Sequence, residues 1–147
     1  MAQNILGDKS FGYTKRRMLH TMLRVGDLEK SIHFYRDVLG MTLIRIFDNS
    51  NAEYTLAFLG YAEEESTCVL ELTYNYGTTA YDMGNAYGHI AIGVDDCYSV
   101  CEDIKLLGGE VVREAGPLKG GEDIIAFVVD PNGYKIELIQ CADEWFF

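Results

Sequence analysis

Basic residues are scarce in this chain: 12 lysines and arginines stand against 23 acidic side chains over 147 residues, a formal net charge of -11. Affinity for duplex nucleic acid rests on cations that neutralise phosphates, and the one basic run is Lys15-Arg16-Arg17. A nucleic-acid partner is therefore excluded. Long apolar runs are also missing, none approaching the roughly 20 residues of a membrane span, and a membrane partner goes with them. Two prolines and 24% charged residues leave no bias toward a disordered or collagen-like chain. Residues 1–13 contain Gln3, Asn4, Asp8 and Lys9 and lack the apolar stretch of a secretory signal, so a soluble, cytoplasmic protein is expected. Neither G-x-G-x-x-G nor G-x-x-x-x-G-K-[ST] occurs, which argues against a nucleotide cofactor. The four cysteines, Cys68, Cys97, Cys101 and Cys141, form no Cys-x-x-Cys pair and have no histidines at zinc-finger spacing. Cys97 and Cys101, four apart in a segment of helical period, are expected to pack as small hydrophobes.

What is present is a repeat. The stretch from His20 aligns with the stretch from His89: Val25 falls on Val94, Asp27 on Asp96, Gly40 on Gly109, and Ala57-Phe58 on Ala126-Phe127. After a three-residue slip, Leu70-Glu71-Leu72 falls on Ile136-Glu137-Leu138. Each copy reads strand, helix, then three strands. In the first, Met18 to Val25 alternates, Asp27 caps a helix with Leu28, Ile32, Tyr35 and Leu39 at the 3.6-residue period, and Gly40 ends it. A unit of this size leaves one sheet face open, so two units are expected to pack together. The division is a polar extension at 1–16, a first βαβββ module at 17–83 and a second with a short tail at 84–147.

Period-2 alternation turns the repeat into a candidate site. Leu19, Thr21, Leu23 and Val25 should meet the helix, leaving Met18, His20, Met22 and Arg24 on the other face. Val69, Glu71, Thr73 and Asn75 should likewise point away from the core, as should His89, Ala91 and Gly93, and Lys135, Glu137 and Ile139. One histidine and one glutamate per copy thus occupy equivalent positions. His20, Glu71, His89 and Glu137 make a plausible N2O2 set for a divalent transition metal. The third histidine, His33, has no counterpart at Glu102 and reads as a surface residue.

The strings MLHTMLRVGDLEKSIHFYRDVLGM, VLELTYNYG, YGHIAIGVDD, GPLKGG and AFVVDPNGYKIELI resemble glyoxalase I, the lactoylglutathione lyase family of the vicinal oxygen chelate superfamily, from about Arg17 to Ile139. The resemblance implies an α+β fold of two tandem βαβββ modules with cup-shaped mixed sheets. It further implies a homodimer with active sites at the subunit interface, where His20 and Glu71 of one subunit join His89 and Glu137 of the other on one metal ion. The implied reaction is isomerisation of the glutathione–methylglyoxal hemithioacetal to S-D-lactoylglutathione, by proton transfer through a metal-bound enediolate. Glu137 would be the principal base and Glu71 the second, because family members use the two equivalent glutamates for opposite stereoisomers. Arg24 and Asn75 match positions that bind the glutathione moiety, and Lys119 and Gly120 match a loop contact to its carboxylate. The longer eukaryotic members have an arginine four residues before the second histidine, where this chain has Asn85, so glutathione and a related conjugate both remain open as the thiol. Ligand type suits Ni2+, Co2+, Mn2+ or Zn2+, and likeness to the short forms favours Ni2+. Two other functions fit the same scaffold. An extradiol-type dioxygenase would use two histidines and one carboxylate, and a non-catalytic small-molecule-binding protein would not be expected to keep all four ligands.

Overall fold

The computed structural model describes residues 15–146, so the expected N-terminal extension lies almost wholly outside the described residues. The first module runs β1 (His20–Arg24), α1 (Leu28–His33), a π-helical turn (Phe34–Val38), β2 (Thr42–Asn49), β3 (Tyr54–Gly60) and β4 (Val69–Asn75). The second runs β5 (Ile90–Val94), α2 (Cys97–Leu106), β6 (Glu110–Pro117), β7 (Ile124–Val129) and β8 (Lys135–Gln140), before a 3-10 turn at Asp143–Trp145. Each module folds into one four-stranded sheet, in the orders β1-β4-β3-β2 and β5-β8-β7-β6. The first strand lies parallel to the last, and the remaining pairs are antiparallel. These are the two mixed-sheet βαβββ modules expected from the repeat.

Both helices open on the expected caps. Asp27 accepts the N–H of Lys30 at 3.1 Å, and Asp96 accepts those of Tyr98 and Ser99 at 2.9 and 3.2 Å. Such a cap contributes about 1 kcal/mol relative to alanine. The ends differ. The glycines in the left-handed region are Gly40 (φ 75°) and Gly108 (φ 86°), not the aligned pair Gly40 and Gly109. The first copy therefore carries one more residue between cap and terminating glycine, and the π-helical turn absorbs it. Closure follows suit, with Met41 N–H on the Tyr35 carbonyl but Gly109 N–H on the Ile104 carbonyl. The wider turn also lets the neighbours Phe34 and Tyr35, 4% and 0% exposed, both face the core, with their rings edge to face at 5.1 Å.

One continuous core spans both modules, from Leu23, Leu59 and Leu72 to Ile104, Ile136 and Leu138. Full burial of each such side chain stabilises by about 1.5–3 kcal/mol. Three sequence expectations need correction. Leu19, assigned to the core face, precedes β1 and is 56% exposed, because alternation governs burial only inside the ladder. Val69, assigned to the open face, is 3% exposed because it leans across Gly60, which has no side chain to hold it off. Ile90, Ile92 and Val94, assigned to the core, are only half-buried and line a groove of about 1180 Å³ between the modules. His33 is exposed and lies 2.8 Å from Asp37, the surface residue expected.

Cys97 and Cys101 are 0% and 1% exposed, and burial pushes the Cys97 thiol up to about 11 and that of Cys101 upward. At pH 8 an alkylating reagent should modify exposed Cys68 first and leave Cys97 and Cys101 intact until denaturant is added, an order that peptide mass spectrometry reads. Burial, then the charge of Asp130, also raises Tyr35 far above the usual phenol range, and burial raises Tyr87 to about 12. A folded state that holds these protons more tightly is fully stabilised by them below about pH 10. Stability is lost above it, as the unfolded chain ionises first. The urea midpoint should accordingly fall as the pH rises from about 10 to about 12, and less steeply in Tyr87→Phe, which removes one of these phenols.

Candidate functional site

Parallel pairing sets Met22 opposite Glu71 and His20 opposite Val69. His20 and Glu71 are thus diagonal neighbours on the face away from the core, and His20 Nε2 lies 3.0 Å from Glu71 Oε2. In the second module Ala91 stands opposite Glu137, His89 immediately precedes β5, and its Nε2 lies 2.9 Å from Glu137 Oε2. The carboxylates are the sheltered partners, with side chains 12% and 15% exposed against 39% and 45% for the imidazoles.

The flanking side chains also repeat. Phe58 pairs across from Glu71 and meets the His20 ring edge-on at 5.9 Å; Phe127 pairs across from Glu137 and meets His89 at 5.5 Å. One strand further out stand Arg45 and Arg113. They diverge there. The Arg45 guanidinium lies 3.5 Å above the Phe58 ring and bonds both oxygens of Glu64 at 2.8 Å. Those bonds hold the Glu64 carboxyl below its ordinary range. Arg113 instead donates to the carbonyls of Ile125 (2.6 Å) and Pro117 (2.9 Å). A second asymmetry touches the carboxylates themselves. Thr73 Oγ1 donates to Glu71 Oε1 at 3.0 Å, whereas the position equivalent to Thr73 beside Glu137 is Ile139, which has no donor.

Each pair holds one imidazole nitrogen and one carboxylate oxygen within hydrogen-bonding distance on one face, and both are ligand types that divalent transition metals take. The donor chemistry therefore fits a divalent transition metal held two ligands at a time. Among the described residues no group of three or more His, Cys, Asp or Glu comes together, so one chain presents two half-sets and not a quartet.

Arg24 ends β1 on the same face, opposite Thr73, and among the described residues its guanidinium makes no hydrogen bond or ion pair. Asn75 ends β4 on that face and donates to Tyr81 Oη at 2.9 Å. Lys119 and Gly120 are exposed in the β6–β7 turn of the other module, closed by Leu118 N–H on the Asp123 carbonyl. Arg24 and Asn75 are thus brought to the His20–Glu71 pair. No contact of the described residues ties Lys119 or Gly120 to it.

Residues 17–138 match the profile of the Glyoxalase/Bleomycin resistance protein/Dioxygenase superfamily. The chain belongs to this superfamily. Among its relatives in that superfamily, a lactoylglutathione lyase of Haemophilus influenzae is 62% identical over 124 residues, 84% of this chain and 92% of the relative. One of Salmonella typhimurium is 61% identical over 127 residues, 86% and 94% of the two chains. A probable lactoylglutathione lyase of Vibrio parahaemolyticus is 64% identical over 84% of this chain and 90% of its own. Glyoxalase I from Zea mays superposes with a TM-score of 0.85 at 51% identity over 86% of this chain, which spans about half of the maize chain (45%). The trypanothione-dependent glyoxalase I of Leishmania major superposes with a TM-score of 0.77 at 52% identity, over 85% and 86% of the two chains.

Sequence reasoning missed Thr73, Phe58, Phe127 and the Arg45–Glu64 pair as parts of the site. The first was legible, since the repeat already set Thr73 against Ile139. The aromatic and guanidinium neighbours depend on cross-strand register, which alternation within one strand does not supply.

Proposed function

We propose that the protein is a metal-dependent lactoylglutathione lyase that isomerises the glutathione–methylglyoxal hemithioacetal to S-D-lactoylglutathione. The observation that carries this reading is the duplicated His–Glu pair at equivalent positions on the open faces of both modules. The lactoylglutathione lyases above 60% identity favour it over a dioxygenase or a non-catalytic binder. His20, Glu71, His89 and Glu137 are the metal ligands, and the active protein is a homodimer in which each site takes one pair from each copy. The separation of the two pairs within one chain supports that assembly, as do the exposed apolar side chains Met18 and Met22 beside His20. Arg24, Asn75, Lys119 and Gly120 hold the glutathione moiety. Nickel is the favoured ion, ahead of cobalt, manganese and zinc, and the cytoplasm is the location. Four free thiols fit a reducing compartment, and no described helix is long and apolar enough to cross a membrane.

A divalent ion bound here supplies Lewis acidity, which stabilises the negative charge that builds on the substrate oxygens when a carbon-bound proton leaves. Glu137 removes the C1 proton and returns it to C2. Glu71 is tied at one oxygen by Thr73, while Glu137 faces Ile139 and has no such tether, so Glu137 is the carboxylate free to accept and carry a proton. Glu71 serves the opposite stereoisomer. Phe58 and Phe127 set the imidazole planes by edge contact and exclude water from one side of each pair. The Arg24 guanidinium takes a substrate carboxylate in a charge-assisted contact worth about 1.5–3 kcal/mol.

Protein purified without added ions should contain about one transition-metal ion per site, and His89→Gln should lose most of it together with nearly all activity. Full metal retention and turnover in that variant would overturn the ligand assignment. Glutamine at 137 keeps a ligating oxygen but no base, so Glu137→Gln should keep part of its metal while kcat per bound ion falls by at least about 100-fold. Glu71→Gln should be milder. A collapse in Glu71→Gln with near-normal turnover per metal in Glu137→Gln would reverse the roles.

A further inference from the structure

The loop where β1 hands over to α1 is held by the other module. The Arg24 carbonyl accepts from Tyr134 Oη at 2.8 Å, Val25 N–H donates to the Thr73 carbonyl at 3.0 Å, and Gly26 N–H donates to Asn132 Oδ1 at 3.0 Å. Three consecutive backbone groups are thus fixed, two of them by one turn more than a hundred residues away. That turn is built on a buried carboxylate. Asp130, 4% exposed, accepts the backbone N–H groups of Asn132 (2.8 Å) and Tyr134 (2.9 Å), and also Tyr35 Oη (2.8 Å). Asn132 Nδ2 reaches Asp130 Oδ2 and Ser31 Oγ, both at 3.1 Å, which ties the turn to α1 as well. The linker closes the arrangement from above: a Cβ at Gly26 would lie 2.0 Å from the Thr79 carbonyl oxygen, so only glycine fits there.

We propose that the turn at 130–134 is a positioning device for substrate binding, in which Tyr134 and Asn132 of the second module set the backbone from which Arg24 of the first module reaches the glutathione carboxylate. The inference rests on the reading of Arg24 as a glutathione contact. Arg24 is a long side chain that makes no hydrogen bond or ion pair among the described residues, so its aim depends on the direction in which its Cα is held. Tyr134 bonds the carbonyl of that same residue. Its ring is separately seated edge-to-face on Tyr87 at 5.1 Å, so the hydroxyl is free of any need to place the ring. Tyr134 and Asn132 act through Arg24 and are positioning residues, with no part in the proton transfer.

Tyr134→Phe keeps the ring and removes only the bond to the Arg24 carbonyl. Binding of S-methylglutathione, a thioether that cannot react, is measured by calorimetry on the metal-loaded protein, together with kcat and KM for the hemithioacetal. The expected result is an affinity about threefold to tenfold weaker and a KM raised in step, with metal content and kcat within about twofold of wild type. In an Arg24→Ala background the same substitution should have no further effect on binding. A merely structural role would lower the melting temperature and the active fraction, and would weaken binding equally with and without Arg24. Unchanged affinity in Tyr134→Phe, or an equal loss in the Arg24→Ala background, overturns the proposal. So does unchanged binding in Arg24→Ala alone, which also removes Arg24 from the site while leaving the lyase reading intact. Failure of the wild-type, metal-loaded protein to turn over the hemithioacetal would instead overturn the function itself.

Discussion

His20 and Glu71 lie 51 residues apart in the chain, and His89 and Glu137 lie 48 apart. Neither pair meets unless the first strand of a module is laid beside its last. Parallel pairing of β1 with β4, and of β5 with β8, is the constraint on which the rest depends. A parallel pair needs a long crossover, and the helix with its two following strands supplies it in each copy. The same pairing sets which residues share the open face. Because side chains alternate with a strict period of 2, a slip of one residue would carry Glu71 into the core and Leu70 or Leu72 out of it. The burial of Leu72 (0% exposed) on one face therefore pins the carboxylate on the other. Core energetics and site geometry are two consequences of one register.

Duplication delivers the pair twice, and the departures from exact repetition are where chemistry enters. Two equal half-sites would give two equivalent carboxylates. In this chain the Glu71 half carries a tethering hydroxyl and a guanidinium stacked on its phenylalanine. The Glu137 half has an isoleucine in place of the hydroxyl, and its arginine turns to backbone carbonyls. A carboxylate that accepts a hydrogen bond at each oxygen is restrained in rotation. One engaged at a single oxygen keeps a lone pair and some torsional freedom in reserve. The difference between the two carboxylates thus needs no change in the His–Glu pairs themselves, only in the residue two places along the strand.

Most of the fold was legible because the repeat checks each copy against the other. Caps, strand count and the open-face residues apart from Val69 follow from alternation, period and turn signals, and are observed. The one-residue slip between Gly40 and Gly108 was not legible, since sequence alignment favours the glycine doublet without knowing which member takes a positive φ. A π-helical turn leaves no signature in an apolar pattern that an α-helix nearly satisfies. Leu19 and the apolar face of β5 failed for a different reason. Pattern tells which face a residue is on but not whether another element covers that face, and coverage is a property of the assembled chain. The aromatic and guanidinium neighbours of the candidate site required pairing across three strands. Arg24 and Asn75 required only two, and alternation found them.

The junction between modules shows why polar groups were placed where apolar packing would have been simpler. An apolar contact between two modules tolerates sliding and rotation, because burial is non-directional. The Asp130 turn does not. Its carboxylate is almost fully buried, and leaving it unpaired would cost several kcal/mol, so the modules can close only in the arrangement that gives it Tyr35 as well as its own backbone donors. Tyr35 lies in the π-helical turn that continues α1, and α1 begins at Leu28, four residues after Arg24 closes β1. Tyr35 packs between Asp130 on one side and the shared core on the other. Fixing the relative angle of the modules and fixing the backbone at Arg24 are thus the same event. If each site draws one pair from each of two copies, any looseness at this junction would be felt at both sites, since every module contributes to one or the other. A directional, buried network is the kind of contact that keeps such an error small.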